Sequence, residues 1–337
     1  MTWLPEQLET VPCDLCGGTV TKQVFTRPDQ LTVVECADCA LCFLNPRPKR
    51  GFISELYGRE YFRKSGTHDT VGYTDYLDDS SVPGKIVRAG QLLRYLPGEA
   101  RIEGSRCMDV GCATGELCHV LKSKGARPVG VDLSEEAIRI AEKRYPDLEF
   151  HVGDITGTPL EGAFGLIFGL EVIEHVLSPS TCIRRMRELL LPGGHVVLTT
   201  PNYDCAKAIG VARWTGFMTS LEHLYFFTPA TLTAYAEALG YEVVTWLTGG
   251  GDGVHSEEIG IPYKPLWKAA TKPLLSAMGL LGPARRALRL IRNRGMQYSR
   301  LPNRHNLLIV MKSPLRSGPH LNMLKTTTKG DRQSVSP

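Results

Sequence analysis

Three groups of residues in this chain have the types and the spacing that chemistry requires. The first is the run Asp109-Val-Gly111-Cys112-Ala113-Thr114-Gly115, followed by Glu116 and then by Asp132. An apolar stretch through Cys107, Met108 and Val110 leads into this turn, and Leu117, Val120 and Leu121 follow at helical spacing. Strand, glycine turn, helix and a second strand ending in an acid make a nucleoside-binding βαβ unit. Glycines let the backbone approach a ligand there, and the second acid takes ribose hydroxyls. The second group is Cys13, Cys16, Cys36 and Cys39, two C-x2-C pairs separated by nineteen residues. That spacing turns four thiolates toward one tetrahedral Zn2+, and four protein ligands leave no position open, so such an ion is structural. The third is a pair of histidines, His175 and His223, which are candidates for general-base work.

The turn discriminates between cofactors. A dinucleotide fingerprint is G-x-G-x-x-G with a pyrophosphate on the helix N-terminus. Here the second glycine is Ala113 and the third is Glu116, and no Lys or Arg lies between 107 and 121 to neutralise a phosphate. Carboxylates at Asp109 and Glu116 suit a cationic sulfonium with an amino-acid tail. In these residues the chain resembles the class I S-adenosylmethionine-dependent methyltransferases, whose first motif commonly reads D-x-G-x-G-x-G; Ala113 departs from it by one methyl group.

Downstream elements extend the resemblance. Gly130-Val-Asp132-Leu-Ser134 ends a strand, with Ser134 as N-cap of a helix over Glu135–Arg144. Leu148–Ile155 gives a third strand ending at Asp154, and Phe164–Leu170 a fourth ending at Glu171-Val-Ile-Glu174-His175-Val176. Ser178-Pro179 starts a helix with Ile183, Met186, Leu189 and Leu190 on one face; Pro192-Gly-Gly194 ends it, and His195–Thr200 is a fifth strand. Thr228-Pro229 starts another helix, and Leu307–Met311 returns as a last strand beside Glu242–Leu247. The expected architecture is an α/β, Rossmann-like, doubly wound and mostly parallel sheet preceded by a small four-cysteine zinc ribbon. The resemblance implies a cofactor site at Asp109, Gly111, Cys112, Ala113, Thr114, Gly115, Asp132, Leu133, Asp154, Ile155 and Glu171. Asp132 would hold the ribose, Asp154 the adenine amino group and the turn the methionine portion.

The ribbon, read as strands at Val20–Thr26 and Leu31–Glu35, is followed by Asn45-Pro-Arg-Pro48 and Leu56-Tyr-Gly-Arg-Glu-Tyr-Phe62. Cys42 is a spare that packs in the strand Leu41–Leu44, although it could replace Cys39. This combination is similar to a bacterial methyltransferase group carrying an N-terminal zinc ribbon, often associated with sugar, lipid-linked glycan or secondary-metabolite modification. Domains are expected at 10–48 (zinc ribbon), 49–84 (connector and active-site cover, with Tyr73 and Tyr76), 85–312 (methyltransferase) and 313–337 (disordered tail).

Methyl transfer needs alignment more than functional groups, because the sulfonium is already a good leaving group. A base for an oxygen nucleophile would be His175 or His223, with Tyr225 and Phe226 as apolar walls of the acceptor pocket. The N/D-P-P-Y/F tetrapeptide of base and glutamine N-methyltransferases is missing after the fourth strand, where Gly169-Leu-Glu171-Val stands. The cysteine nucleophile of cytosine C5 enzymes is missing too. A hydroxylated small molecule, a sugar or a lipid-linked glycan is therefore the expected acceptor.

Charge is uneven along the 337 residues. From Ile259 to Gly330 there are fourteen Lys or Arg and no Asp or Glu, leaving twenty-five basic against thirty-five acidic residues elsewhere. This basic segment, 259–305, reads as an insertion before the last strand. Its helix from Pro283 to Asn293 sets Arg285, Arg286, Arg289 and Arg292 against Ala284, Ala287, Leu288 and Ile291. Two occupants of that face are open, an anionic membrane touched through 283–294 or the acidic catalytic domain. Met1–Thr10 lacks the apolar core of a signal peptide, no apolar run is long enough to span a bilayer, and the cysteines have metal spacing, so a cytoplasmic protein is expected, with the membrane surface as the alternative. Two further readings stand beside the enzyme: a non-catalytic or RNA-binding zinc-ribbon protein on the same fold, and a nicotinamide-dependent oxidoreductase. The ribbon has few basic residues and no aromatic-basic stripe, which argues against nucleic acid.

Overall fold

A computed structural model describes residues 3–52, 79–160, 163–213, 221–249, 259–260 and 306–315. Tyr73, Tyr76, the basic segment beyond Gly260 with its helix at 283–293, and the tail beyond Leu315 lie outside the described residues.

The N-terminal unit holds five strands: β1 (Leu8–Glu9), β2 (Thr21–Thr26), β3 (Thr32–Cys36), β4 (Cys42–Leu44) and β5 (Arg47–Pro48). Strands β2, β3 and β4 form an antiparallel ribbon, and β1 pairs with β5 at its base. A helix α1 (Val82–Leu92) then leads to the main sheet. Its parallel strands are β6 (Arg106–Val110), β7 (Arg127–Asp132), β8 (Glu149–Val152), β9 (Phe164–Leu170) and β10 (Leu190–Pro201), alternating with α2 (Glu116–Ser123), α3 (Glu135–Arg144) and α4 (Pro179–Leu189). After β10 come α5 (Tyr203–Ile209), β11 (Tyr225–Phe226), α6 (Pro229–Ala238), β12 (Glu242–Gly249), β13 (Ile259–Gly260) and β14 (Asn306–Lys312).

The eight-stranded sheet runs β13-β12-β14-β10-β9-β6-β7-β8. The last strand β14 inserts between β10 and β12 and is antiparallel to both. Chain order reverses between β6 and β9, and that switch point opens the crevice at the carboxyl ends where open α/β sheets bind ligands. Helices cover both faces. Ala89, Leu93, Leu117 and Leu121 pack on Cys107, Phe168 and Val310 on one side; Ile183, Met186, Leu232 and Tyr235 pack on the other. Local signals place the helix starts: the hydroxyls of Ser134, Ser178 and Thr228 accept from the backbone N–H of Ala137, Thr181 and Thr231.

Two differences from the sequence expectation have physical causes. Strand β10 begins at Leu190, and Pro192-Gly-Gly194 sits in a bulge where the register against β9 shifts between Leu190 and His195. Glycine and proline here re-aim a strand instead of separating helix from strand. The residues read as a pocket wall, Tyr225–Phe226, form β11, which pairs antiparallel with β4 (Tyr225 with Phe43, Phe226 with Cys42). A segment from the catalytic half thus supplies the fourth strand of the ribbon sheet, and one continuous core runs through both units. Among the described residues no helix is long and apolar enough to cross a membrane.

Candidate functional site

The turn after β6 is built by backbone geometry. Gly111 takes φ +73°, and a Cβ there would lie 2.3 Å from Val172 Cγ2, so only glycine fits. Ala113 stands where a second glycine would be expected, yet it adopts φ +45°, the same left-handed conformation. The methyl group is carried without changing the path of the turn. The hydroxyl of Thr114 is committed to Glu116 at 2.7 Å, and Cys112 is buried beneath the turn, so both offer a ligand only their backbone.

Asp132 closes the turn from the end of β7. Its Oδ2 accepts from the Ala113 N–H and its Oδ1 from the Ser134 N–H, each at 2.9 Å. Burial raises its carboxyl above the usual range, against the pull of these two donors. Asp109 is buried beside it and is raised further, first by burial and then by the charges of Asp132 and Glu116. Glu116 differs from the sequence expectation of an acid bare to the ligand: Arg144 reaches it at 2.8 Å and Lys85 at 4.0 Å. The acidic field at the turn therefore belongs to Asp109 and Asp132. Those two carboxylates crowd each other and would gain from a cation, which fits an ammonium or sulfonium group and not a pyrophosphate. Leu133, 54% exposed, and Val152, 48% exposed, leave apolar surface open beside these acids, suited to a flat aromatic base. Asp154 follows β8; its Oδ1 accepts from the Thr156 N–H at 2.5 Å, and Arg50 lies 3.6 Å from its Oδ2. Ile155 is buried next to it.

At the end of β9 the structure brings both sequence-chosen histidines together. The rings of His175 and His223 meet edge to face with centroids 4.7 Å apart. Burial lowers His175 to about 4, outweighing a hydrogen bond to the Glu222 backbone. His223 is lowered well below its usual range by burial, by His175 and by Arg27. Both imidazoles are therefore neutral near pH 7 and offer nitrogen lone pairs. Carboxyls surround them. Burial pushes Glu171 and Glu222 up to about 7 and Glu174 higher, with Glu171 adding to the last. Glu171 sits in a left-handed conformation, φ +53°, with its N–H on the Thr199 carbonyl at 3.0 Å. Phe226 faces the His223 ring with centroids 6.5 Å apart, whereas Tyr225, on the other face of β11, bonds the Leu177 carbonyl at 3.0 Å and accepts from Arg47 at 2.9 Å. Strand alternation turns Phe226 toward His223 and Tyr225 toward Leu177 and Arg47.

Several residues of this region went unread in the sequence. Arg27, between β2 and β3, is fully buried; it pairs with Asp29 and donates to the carbonyls of His223 and Leu221, each at 2.9 Å. The ribbon thereby holds the backbone that carries His223. Asp14, inside the first cysteine pair, sits at the N-terminus of α4, accepting from the Ser180 N–H at 2.7 Å, the Ser178 hydroxyl at 2.7 Å and the Tyr235 hydroxyl at 2.9 Å.

The four cysteines converge. Their Sγ atoms all lie within 4.8 Å of one another, with Cys13–Cys39 at 3.4 Å and Cys16–Cys36 at 3.5 Å. The edge of a zinc–thiolate tetrahedron is about 3.8 Å, so the set fits the ion. Hydrogen bonds from Cys13 and Cys39 pull the Cys16 thiol down from its usual range. A Cβ at Gly18 would meet Cys16 and Cys36 Sγ at 3.3 Å, which keeps side chains out of the knuckle. Cys42 lies outside this set, buried in β4, where burial pushes its thiol to about 12.

A switch-point crevice with a glycine turn, an acid pair and a strand-end carboxylate defines a nucleoside-cofactor enzyme of the methyltransferase type. Residues 85–245 match the family model described as a methyltransferase domain. The ubiquinone biosynthesis O-methyltransferase of Ralstonia nicotianae is 30% identical over 163 residues, covering 44% of this chain and 68% of that protein. Its namesake in Burkholderia thailandensis is 28% identical over 188 residues, covering 52% and 76%. A solved S-adenosylmethionine-dependent methyltransferase from Mesorhizobium loti aligns with 70% of this chain and 99% of its own at 18% identity, with a TM-score of 0.44. The chain belongs to the class I S-adenosylmethionine-dependent methyltransferases, and S-adenosylmethionine is its cofactor.

Proposed function

We propose that the chain methylates a hydroxyl oxygen of a small hydroxylated molecule, at the crevice between the turn after β6 and the His175–His223 pair. Asp132 holds the ribose hydroxyls, and Asp154 with Leu133 and Ile155 holds the adenine. The Gly111–Gly115 backbone with Asp109 holds the methionine portion, and Glu171 borders it. When bound, S-adenosylmethionine supplies an electrophilic methyl on a positively charged sulfur. The chain's own task is to align an oxygen with that methyl and to keep water out.

The observation that carries this reading is the meeting of two buried, neutral imidazoles at the end of β9. An unprotonated ring nitrogen accepts the hydrogen bond of an acceptor hydroxyl and would take its proton as the oxygen–methyl bond forms and the sulfur–methyl bond of the cofactor breaks. The relatives from Ralstonia nicotianae and Burkholderia thailandensis are O-methyltransferases by name, which supports oxygen as the methylated atom. Sugars and lipid-linked glycans remain within the acceptor class as hydroxyl compounds, but no residue of the site favours them. Residues 10–48 act as a structural zinc unit, Cys13, Cys16, Cys36 and Cys39 being the ligands, and 85–312 as the transferase.

Calorimetry with S-adenosylmethionine tests the cofactor half: wild type binds, and Asp132→Ala loses most of the affinity. Labelled cofactor with separate pools of phenols, sugars, lipids and amines tests the acceptor half. Label found only on nitrogen, or equal binding by wild type and variant, refutes the assignment.

A further inference from the structure

We infer that the four ribbon thiols form an oxidation-sensitive clamp on the acceptor end of the sheet: a peroxide converts them to two disulfides, and the segments bearing His175 and His223 are released. The inference rests on the reading above that a hydroxyl is aligned at those two histidines. Of the ten cysteines in the chain, eight are buried. The two half-buried ones, Cys16 and Cys39, both belong to the ribbon set. Each stands against a buried partner, Cys39 with Cys13 at 3.4 Å and Cys16 with Cys36 at 3.5 Å. A reachable thiol beside a resolving one is the arrangement of a redox sensor. Thiols that ligate Zn2+ are held as thiolates, the form that attacks a peroxide.

Both knuckles carry ties to the catalytic half. Asp14 lies between Cys13 and Cys16 and accepts from the Ser178 hydroxyl and the Ser180 N–H, each at 2.7 Å, at the start of the helix that follows His175. On the other side, β3 ends at Cys36, and β4 begins three residues beyond Cys39. Strand β4 pairs with β11, and the Leu44 N–H donates to the Leu224 carbonyl at 2.9 Å, next to His223. Leu224 and Tyr225 in turn donate to the Glu174 carbonyl, at 2.8 and 3.1 Å. The first knuckle therefore holds the segment after His175, and the second holds the segment after His223. Asp132, at the cofactor end, is braced instead by the Ala113 and Ser134 N–H groups of the main sheet's own turns.

A disulfide needs its sulfurs about 2.05 Å apart. Each pair must therefore close by about 1.4 Å. Motion of the first knuckle draws Asp14 off the helix, because a 2.7 Å hydrogen bond stretched by about 1 Å is no longer one. Motion of the second pulls on β3 and β4, and through them on β11. The Cys39 thiolate attacks one peroxide oxygen, the O–O bond breaks, and a sulfenic acid forms with release of hydroxide. The Cys13 thiolate attacks that sulfur, the S–S bond forms, and a second hydroxide leaves; two solvent protons turn both into water. Cys16 and Cys36 consume a second peroxide in the same way, and no thiolate is left to hold the ion. A dithiol returns two electrons to each disulfide and restores the set.

The test treats the full, zinc-loaded chain with hydrogen peroxide. It follows zinc released to a coloured chelator, thiol state by mass spectrometry, S-adenosylmethionine affinity by calorimetry, and amide hydrogen exchange. We expect one zinc released per chain, disulfides Cys13–Cys39 and Cys16–Cys36, and unchanged cofactor affinity. The N–H groups of Ser180, Leu224 and Tyr225 should exchange more than about tenfold faster, and methyl transfer to 1,2-dihydroxybenzene should fall by a similar factor. A dithiol with added Zn2+ reverses both changes. Exchange unchanged at those three groups after zinc release overturns the proposal. Loss of S-adenosylmethionine binding together with their protection overturns it as well, because that marks global unfolding. So does oxidation of a buried cysteine elsewhere with the ribbon thiols intact. Reduced protein that methylates no hydroxyl sinks the acceptor reading instead, and the zinc and exchange readouts then decide the clamp alone.

Discussion

Replacing Arg27 by methionine removes a buried side chain through which the ribbon holds the backbone of His223 and Leu221. In the native protein its guanidinium makes two bonds to Asp29, at 3.1 and 2.5 Å, and two to the carbonyls of His223 and Leu221. All of these atoms are buried; the side chains of the pair are 0% and 1% exposed. Breaking a buried pair from one side costs about 3–5 kcal/mol, because the remaining charge is stranded. Asp29 keeps only long contacts from the Trp3 indole and the Leu31 N–H, each at 3.4 Å, so the residual carboxylate is poorly supported and a loss of about 4 kcal/mol is expected. In urea that moves the unfolding midpoint down by roughly 1–2 M for a slope near 3 kcal/mol per molar. The double variant Arg27→Met with Asp29→Leu removes the stranded charge and leaves two carbonyls without donors, a deficit of about 2 kcal/mol. Stability should therefore recover by half. Activity should not recover, because neither variant restores the donors that hold the backbone of His223. Initial rates at saturating S-adenosylmethionine should give a reduced kcat in both variants with an unchanged KM for the cofactor, whose proposed site lies around Asp132. A folded double variant with wild-type kcat would refute the positioning argument, and a single variant that loses less than about 1 kcal/mol would refute the burial argument.

Gly111→Ala should cost about 2–3 kcal/mol, combining a left-handed backbone with the overlap on Val172, and lower S-adenosylmethionine affinity. Adding Val172→Ala should return part of the melting temperature, and no recovery would show that the overlap is not the cause. Asp14→Ala should cost about 2–3 kcal/mol by stripping the α4 N-terminus and the buried Tyr235 hydroxyl of their acceptor. Its zinc content by elemental analysis should stay at the wild-type value, since Asp14 ties the ribbon to the catalytic half without ligating the metal.

What could be read from the sequence divides along a physical line. The turn at Asp109–Gly115, the caps at Ser134, Ser178 and Thr228 and the paired cysteines were legible because each is encoded within a few consecutive residues, where local geometry decides the outcome. The placement of β14 between β10 and β12 was half legible: an apolar run announces a strand, and only the sheet shows that it has two neighbours. Glu116 was misread because its neutralising partners, Arg144 and Lys85, arrive from helices that no local pattern connects to the turn. Tyr225 was misread because an aromatic residue shortly before a helix cap looks like a loop wall until a ribbon strand 182 positions earlier pairs with it, Tyr225 opposite Phe43.

Arg27 shows the limit most clearly. It sits in Arg27-Pro-Asp29-Gln30, whose composition is that of an exposed hairpin turn, and arginine at such a turn is ordinarily solvated. Its burial follows from a partner two residues on and from two carbonyls 194 and 196 residues away. Neither carbonyl carries a side-chain signature, because a carbonyl accepts equally well in any residue. The histidines could therefore be chosen from their side chains, while the group that sets where one of them stands was hidden in the main chain. For the same reason the ribbon reads in sequence as a separate metal unit, although in the structure it holds the backbone on either side of Glu222, His223 included.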